Sequence, residues 1–310
     1  MPVVYWKELQ DHFSSLRFMI LLALIMLPGV LAVYLSGQAI QQEVQTNPTP
    51  LVFLRLLTTE SLFFSLATFL GFFGPLVGIT LGFDSISGEY GRGTLSRVLS
   101  QPIYRDSLIN GKFLAGLTTL AILWVSILLV VLGLGIALIG FLPNAEELWR
   151  MLFFAIIGIT YTGFWLALAM LLSMLLARTV TAALASIAIW LFLGIFIGVL
   201  AGFLAGLIVP NPQSAEDVTR LATIETVLAR MSPSLLYTES VRLLLNPVAR
   251  NLIPILPEQW GQLEGWLEIT PLNLGQSLRL ILPMFFTLVS LVAVCFGIAY
   301  IKFMRTEIRA

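Results

Sequence analysis

The sequence predicts an all-α polytopic membrane protein, and three observations carry that prediction. Hydrophobic residues make up 58% of the 310-residue chain and charged residues only 11%, against about 25% charged in an ordinary soluble domain. Apolar runs at 18–35, 61–83, 113–142, 151–177, 179–209 and 280–301 are each about 18 residues or more, enough for a helix to cross roughly 30 Å of hydrocarbon. Six transmembrane helices are expected. Between the second and third runs lies the segment FDSISGEYGRGTLSRVLSQPIYRDSLINGKFL, which carries Asp84, Glu89, Arg92, Arg97, Arg105, Asp106 and Lys112. It belongs in water, because an ionised side chain at mid-bilayer costs at least about 2.5–3.5 kcal/mol.

The same composition excludes several function classes. Basic and acidic residues balance at 17 each, so nothing in the charge favours nucleic acid. His12 is the only histidine, which excludes a multi-histidine metal site, and the single Cys295 cannot form an intramolecular disulfide. Near the start, Lys7, Glu8 and Asp11 are mixed in sign and no small-residue cleavage pattern follows Arg17, so no cleavable signal peptide is expected. Gly111-Lys112 is not a phosphate loop, since Asp106 stands where its first glycine belongs and Phe113 where its hydroxyl belongs. H-E-x-x-H and G-x-S-x-G are absent, and Ser85 and Ser87 beside Asp84 have no histidine nearby. Glu60, Arg150 and Arg279 lie near the ends of apolar runs rather than deep within them, so coupling to an ion gradient has no evident seat. A non-catalytic subunit, with its energy supplied by another chain, is the expectation.

In chain order, residues 1–17 form an interfacial helix. Val3, Trp6, Leu9, Phe13 and Leu16 share one face, with Lys7, Gln10, Asp11 and Ser14 elsewhere, a pattern suited to the headgroup layer. The alternative is a cytosolic extension of the first membrane helix. Placing the N-terminus inside puts Lys7, Arg17, Arg92, Arg97, Arg105, Lys112, Arg178, Lys302, Arg305 and Arg309 on the cytoplasmic side, and most of the remaining basic residues in one long outer loop that the positive-inside rule discounts. Both termini are then cytoplasmic, and 84–112 is a cytoplasmic loop. Within it Leu95, Val98 and Leu99 fall at i, i+3, i+4, giving a short amphipathic helix over Tyr90 to Ser100. Gly88, Gly91 and Gly93 permit the sharp turns that lead into it.

The third and fifth spans exceed the minimum length and are expected to tilt or project; Arg178 marks a tight reversal between the fourth and fifth. The loop 210–276 is expected to form a small extracytoplasmic helical cap, or else a plain helical connection. Ser214 with Asp217 opens one helix, Ser232-Pro233 opens a second, Asn246-Pro247 stops it, and Trp260, Leu263, Trp266 and Leu267 share a face further on. Gly74, Pro75 and Gly78 in the second span, and Gly198 and Gly202 in the fifth, have the spacing of close helix approach, either within one subunit or along a substrate path.

The run DSISGEYGRGTLSRVLSQPIYRDSLINGKFLAG resembles the cytoplasmic segment of ABC-2 permeases, particularly those similar to the permease of the nitrous-oxide reductase maturation system. That family pattern has an acidic residue ending span two, then a Glu, Gly-Thr-Leu, Leu-Ser/Thr-x-Pro, an Arg, and Gly-Lys opening span three. Here these are Asp84, Glu89, Gly93-Thr94-Leu95, Leu99-Ser100-Gln101-Pro102, Arg105 and Gly111-Lys112. The resemblance implies a single ABC-2 transmembrane domain over 1–310, a homodimer in the cell membrane, and an ATPase subunit in trans that alone binds ATP, leaving this chain without a cofactor. It implies ATPase docking on a coupling helix in 84–112, through Asp84, Glu89, Tyr90, Arg92, Gly93, Thr94, Leu95, Arg97, Pro102 and Arg105, although Glu89 and Arg92 also have the spacing of a simple surface pair. In that architecture spans two and five border the translocation route, and export is expected. An ATPase-independent carrier or channel, or a membrane relay to an extracytoplasmic partner, are the alternatives. The long loop 210–276 departs from compact members of the family.

Overall fold

The computed structural model describes residues 2–44, 51–59, 65–91, 93, 104–176, 178–210, 212, 214–246 and 272–306, and every regular element among them is a helix. In order these are α1 (Pro2–Ser14), α2 (Leu16–Val44), α3 (Val52–Thr58), α4 (Leu66–Gly82), α5 (Ser87–Gly91), α6 (Arg105–Ile139), α7 (Ala145–Leu175), α8 (Thr179–Ile208), α9 (Ala215–Ala229), α10 (Pro233–Leu245) and α11 (Leu274–Arg305). Five helices, α2, α6, α7, α8 and α11, are long and apolar enough to cross a membrane. α4 has 17 residues; at about 1.5 Å per residue it is roughly 26 Å long, at the lower limit of a span.

Helices outrun the apolar windows wherever a polar residue can start or extend them. Residues 105–112, expected as loop, are the first two turns of the 35-residue α6. Asn144 and Glu147 form a reciprocal capping box that starts α7 ahead of its apolar run, and Asn273 with Gln276 does the same for α11. α3 had no counterpart in the predicted elements. Val52, Phe53, Leu54, Leu56 and Leu57 are buried there, and the helix starts behind Leu51, whose φ of 64° is the left-handed value of a sharp turn.

α7 is the central helix. Of its apolar window 67% is buried within the chain, against 11% for α8 and 17% for α11, and it packs on α4, α6, α8, α10 and α11. Glycine sets its approach to α4: a Cβ at Gly78 would overlap the Thr162 carbonyl, and one at Gly82 would stand 2.7 Å from the Leu166 carbonyl oxygen. The α4 small-residue stripe therefore seals a contact within one chain. Pro75 lacks an N–H and so leaves the carbonyl of Gly71, one turn back, without its helical donor; Tyr161 Oη on α7 donates to that oxygen at 2.9 Å.

The 210–276 segment differs most from expectation. Ser214 and Ser232 cap α9 and α10 as predicted, but α10 is no surface cap. Its Leu236, Tyr237, Ser240, Val241 and Leu243 to Leu245 are buried. Tyr237 stacks on Tyr161 with ring centroids 4.6 Å apart and donates to the Ala67 carbonyl at 3.2 Å. Ser234 Oγ meets Tyr161 Oη at 2.9 Å, and Ser232 Oγ donates at 2.6 Å to Leu193, inside a π-helical turn (Phe192–Phe196) of α8. These partners sit about midway along α7 and α8, so α10 begins inside the bundle. Its leucines and Val241 bury apolar surface there, and its hydroxyls find the partners that buried polar groups need. Trp260, Leu263, Trp266 and Leu267 lie outside the described residues.

Arg150 closes the end of the bundle that holds α3. Fully buried, it donates through Nη1 to Leu244 O (2.6 Å) and Ser277 Oγ (3.2 Å) and through Nη2 to Leu272 O (2.7 Å), while Glu146 Oε1 accepts from Nε and Nη2. One guanidinium thus joins the end of α10 to the start of α11. Glu147 Oε1 accepts from Phe53 N at 2.8 Å and fixes the start of α3.

Three outcomes follow for thermal unfolding in detergent. Gly78→Ala is expected to cost about 1–3 kcal/mol by overpacking, whereas Gly198→Ala, with nothing within 4 Å of the added Cβ, should be neutral or stabilise by up to about 1 kcal/mol. Arg150→Met, which strips a donor from two buried carbonyls, is expected to cost about 3–5 kcal/mol; an unchanged midpoint would show that the clamp carries no load.

Candidate functional site

At the opposite end of the bundle, where α1 and the close of α11 lie, the chain turns back from α4 toward α6. It leaves α4 at Gly82, turns through Phe83 to Ile86 and enters α5. Ser173 on α7 holds that turn: its Oγ accepts from Ile86 N (3.1 Å) and Ser87 N (3.0 Å) and donates to Ser87 Oγ (3.1 Å). Arg17 Nη1 reaches Asp84 Oδ2 at 3.2 Å from the start of α2.

Lys112, two turns into α6, is the centre of the site. Its Nζ lies 2.7 Å from Glu89 Oε1 on α5 and 2.8 Å from Glu8 Oε1 on α1, with side-chain exposures of 5%, 9% and 13% for the lysine and the two glutamates. α1 presents a second face to make this contact. Val4, Glu8 and His12 recur at i, i+4 and turn toward α6: Val4 seats against Gly111, His12 Nδ1 meets Thr119 Oγ1 at 3.2 Å, and neighbouring Tyr5 Oη donates to Thr118 Oγ1 at 3.1 Å. The apolar Val3, Trp6 and Phe13 of α1 are exposed on the other side, a pattern suited to a helix in the headgroup layer. A cavity of about 300 Å³ remains between α1, the end of α4 and Lys112.

The residues singled out by sequence fall into three groups. Asp84 and Glu89 are at this end but turned inward, onto Arg17 and Lys112. Tyr90 is half exposed, Gly93 takes a φ of 65° in open space, and Arg105 Nη1 donates to Thr306 O at 3.1 Å, tying α6 to the close of α11. Arg92, Thr94, Leu95, Arg97 and Pro102 lie outside the described residues. The glycine positions sit elsewhere: Gly74, Pro75 and Gly78 are buried at α4, while Gly198 is open and Gly202 faces Glu225. Sequence reasoning missed Glu8, His12 and Ser173 as site residues. The i, i+4 recurrence of Glu8 and His12 beside Val4 was the available signal for two of them; Ser173 offered none.

Among the described residues no group of three or more His, Cys, Asp or Glu is placed for a metal ion. The constellation braces a short exposed edge, Tyr90, Gly91 and Gly93, from three helices.

The model of the ABC-2 family transporter protein matches residues 2–308. The chain belongs to the ABC-2 transporter family. It is 32% identical over 151 residues to the probable ABC transporter permease protein NosY of Pseudomonas aeruginosa, covering 47% of this chain and 49% of that one. To the probable NosY permease of Stutzerimonas stutzeri it is 36% identical over 153 residues, 48% of each. The chain spans about half the length of the curated relatives it matches. In this ABC-2 protein the braced edge coincides with the segment whose motif pointed to the family.

His12 makes the brace sensitive to acid. Burial lowers its pKa below the ordinary 6.5; Glu8 opposes the shift, Lys112 reinforces it, and Asp84 and Asp11 oppose it. The folded protein therefore binds a proton less readily than the unfolded chain, so this contribution is complete above about pH 6.5 and is lost as pH falls through that value toward the lowered one. The thermal midpoint is expected to fall on acidification below pH 6.5, with a slope no steeper than about 1.4 kcal/mol per pH unit for one proton. His12→Gln should flatten that limb.

Proposed function

We propose that the chain is the permease subunit of an ABC transporter, driven by a separate ATPase that docks on the 84–112 segment and supplies all nucleotide binding. The observation that carries this reading is the mounting of the Tyr90 to Gly93 edge. Its root is fixed to α1 and α6 through the Glu89–Lys112–Glu8 contacts and to α7 through Ser173. A rigid, exposed projection with stiff roots is what a force-transmitting contact requires, because packed helices move as bodies. Family membership and the permease names of the two relatives support it.

In this reading α4 is the sixth crossing, both ends of the chain are cytoplasmic, and the protein is a multi-pass component of the cell membrane, working as an exporter. Two copies pair through the bare faces of α8, where the glycines at 198 and 206 have nothing within 4 Å. Asp84 and Glu89 then act from behind, setting the pose of the edge, and Tyr90 and Gly93 meet the partner.

The test is co-purification of the cognate ATPase from membranes. Gly93→Val forces a β-branched residue into a left-handed turn at a cost of about 1–2 kcal/mol, and together with Tyr90→Ala it is expected to release the ATPase while leaving membrane insertion intact. Retention of the ATPase at full stoichiometry would count against docking there, and nucleotide-independent transport in vesicles would favour a carrier or channel.

A further inference from the structure

We infer that Lys112 is a positioning residue for energy transfer: by holding Glu8 and Glu89 at once, it makes the N-terminal helix α1 move with the docking segment. The inference rests on the reading that an ATPase docks on 84–112, and it adds that the force has a second destination besides the spans that flank this segment.

The geometry is specific. Lys112 stands between a carboxylate on α1 and one on α5, at 2.8 and 2.7 Å, in a pocket that leaves 5% of its side chain exposed. Pulling either carboxylate away would leave a buried charge without its partner, the costly way to break such a contact, so both follow the lysine. A neighbouring tie behaves differently. Arg17 and Asp84 pair at 3.2 Å with exposures of 68% and 33%, and an exposed pair of that kind is weak and screened by salt. The triad, not the surface pair, is the stiff joint. At Gly111, next to Lys112, an added Cβ would stand 3.0 Å from Val4 Cγ1, so the backbone of α1 lies close against α6 at that point. The adjoining cavity of about 300 Å³ leaves room for α1 to shift on its polar side without steric conflict. On its other side α1 carries Val3 and Trp6, exposed at 76% and 65%, so movement of α1 displaces a broad apolar face.

The test uses the full chain with its cognate ATPase in nanodiscs, carrying Cys295→Ser and a spin label at Trp6→Cys. The readout is the change in label mobility between the nucleotide-free state and the state trapped with ATP and vanadate. Lys112→Met, read at saturating ATPase, is expected to cut that change roughly two- to thirtyfold, the range for a residue along a coupling path. Lys112→Arg should restore it, as should the inverted triad Glu8→Lys, Lys112→Glu, Glu89→Lys. Glu8→Ala removes only the arm to α1 and should give the same loss with the Lys112–Glu89 contact in place; it decides the question if Lys112→Met does not insert. A full nucleotide response in Glu8→Ala, or no response in the chain with Lys112 and Glu8 unaltered and its ATPase bound, overturns the inference. Failure of that unaltered chain to hold any ATPase would instead bring down the docking reading itself.

Discussion

One ammonium shared by two carboxylates decides how three elements of this protein are oriented. Lys112 is almost wholly withdrawn from water, and the effective cost of burying an ion is several kcal/mol unless oxygen atoms surround it. Glu89 and Glu8 supply them at 2.7 and 2.8 Å. To bring Glu8 there, α1 must turn its Val4, Glu8 and His12 face to α6, which leaves Trp6 and its apolar neighbours outward. To bring Glu89 there, α5 must tuck against the base of α6, which leaves Tyr90 and Gly93 facing away. The orientation of the exposed edge is thus a consequence of where a buried charge finds its partners.

The central helix α7 extends the same logic along the bundle. At one end Glu147 and Arg150 grip α3, α10 and α11, in the middle Tyr161 serves the Gly71 carbonyl, and at the other end Ser173 holds the turn into α5. Each grip answers a backbone group that its own helix or loop leaves unpaired: a carbonyl orphaned by Pro75, carbonyls at Leu244 and Leu272, an amide at the first turn of α3. In apolar surroundings such groups must be met internally. One consequence is mechanical. The turn into α5 and the helices at the far end share α7 as a support, and α6 joins the same turn through Lys112.

Long apolar runs made the spanning helices legible in the sequence, and local capping chemistry made the starts of α9 and α10 legible, because Ser214 and Ser232 act on amides three residues away. What was not legible depends on distant partners. Phe53 N is met by a carboxylate 94 positions later and Lys112 by one 104 positions earlier, and no window reading pairs such residues. Glu89 reads as a surface charge by its motif, yet burial turns it inward. α10 has the amphipathic pattern of a surface helix, but its leucines bury apolar surface and its hydroxyls find partners inside the bundle. Polarity was written in the pattern; what each polar group would meet was not.

The distribution of charge along the long helices also bears on where work can enter. Between 113 and 144, 151 and 177, 179 and 209, and 280 and 301 there is no Asp, Glu, Lys, Arg or His. The polar groups found midway, such as Tyr161, Ser234 and Thr162, are hydroxyls paired to carbonyls or to one another, and hydroxyls keep their protons at neutral pH. Arg230 and Glu239 pair with each other at 3.1 Å on the α9–α10 segment, and Glu225 lies against Gly202 of α8. The long helices thus carry no carboxylate, amine, guanidinium or imidazole at mid-depth. The buried triad of Glu8, Glu89 and Lys112 lies at the end that carries α1, α5 and the base of α6, beside a turn that is both exposed and braced. On the proposed reading, such a bundle is moved from its end, by contact with a partner.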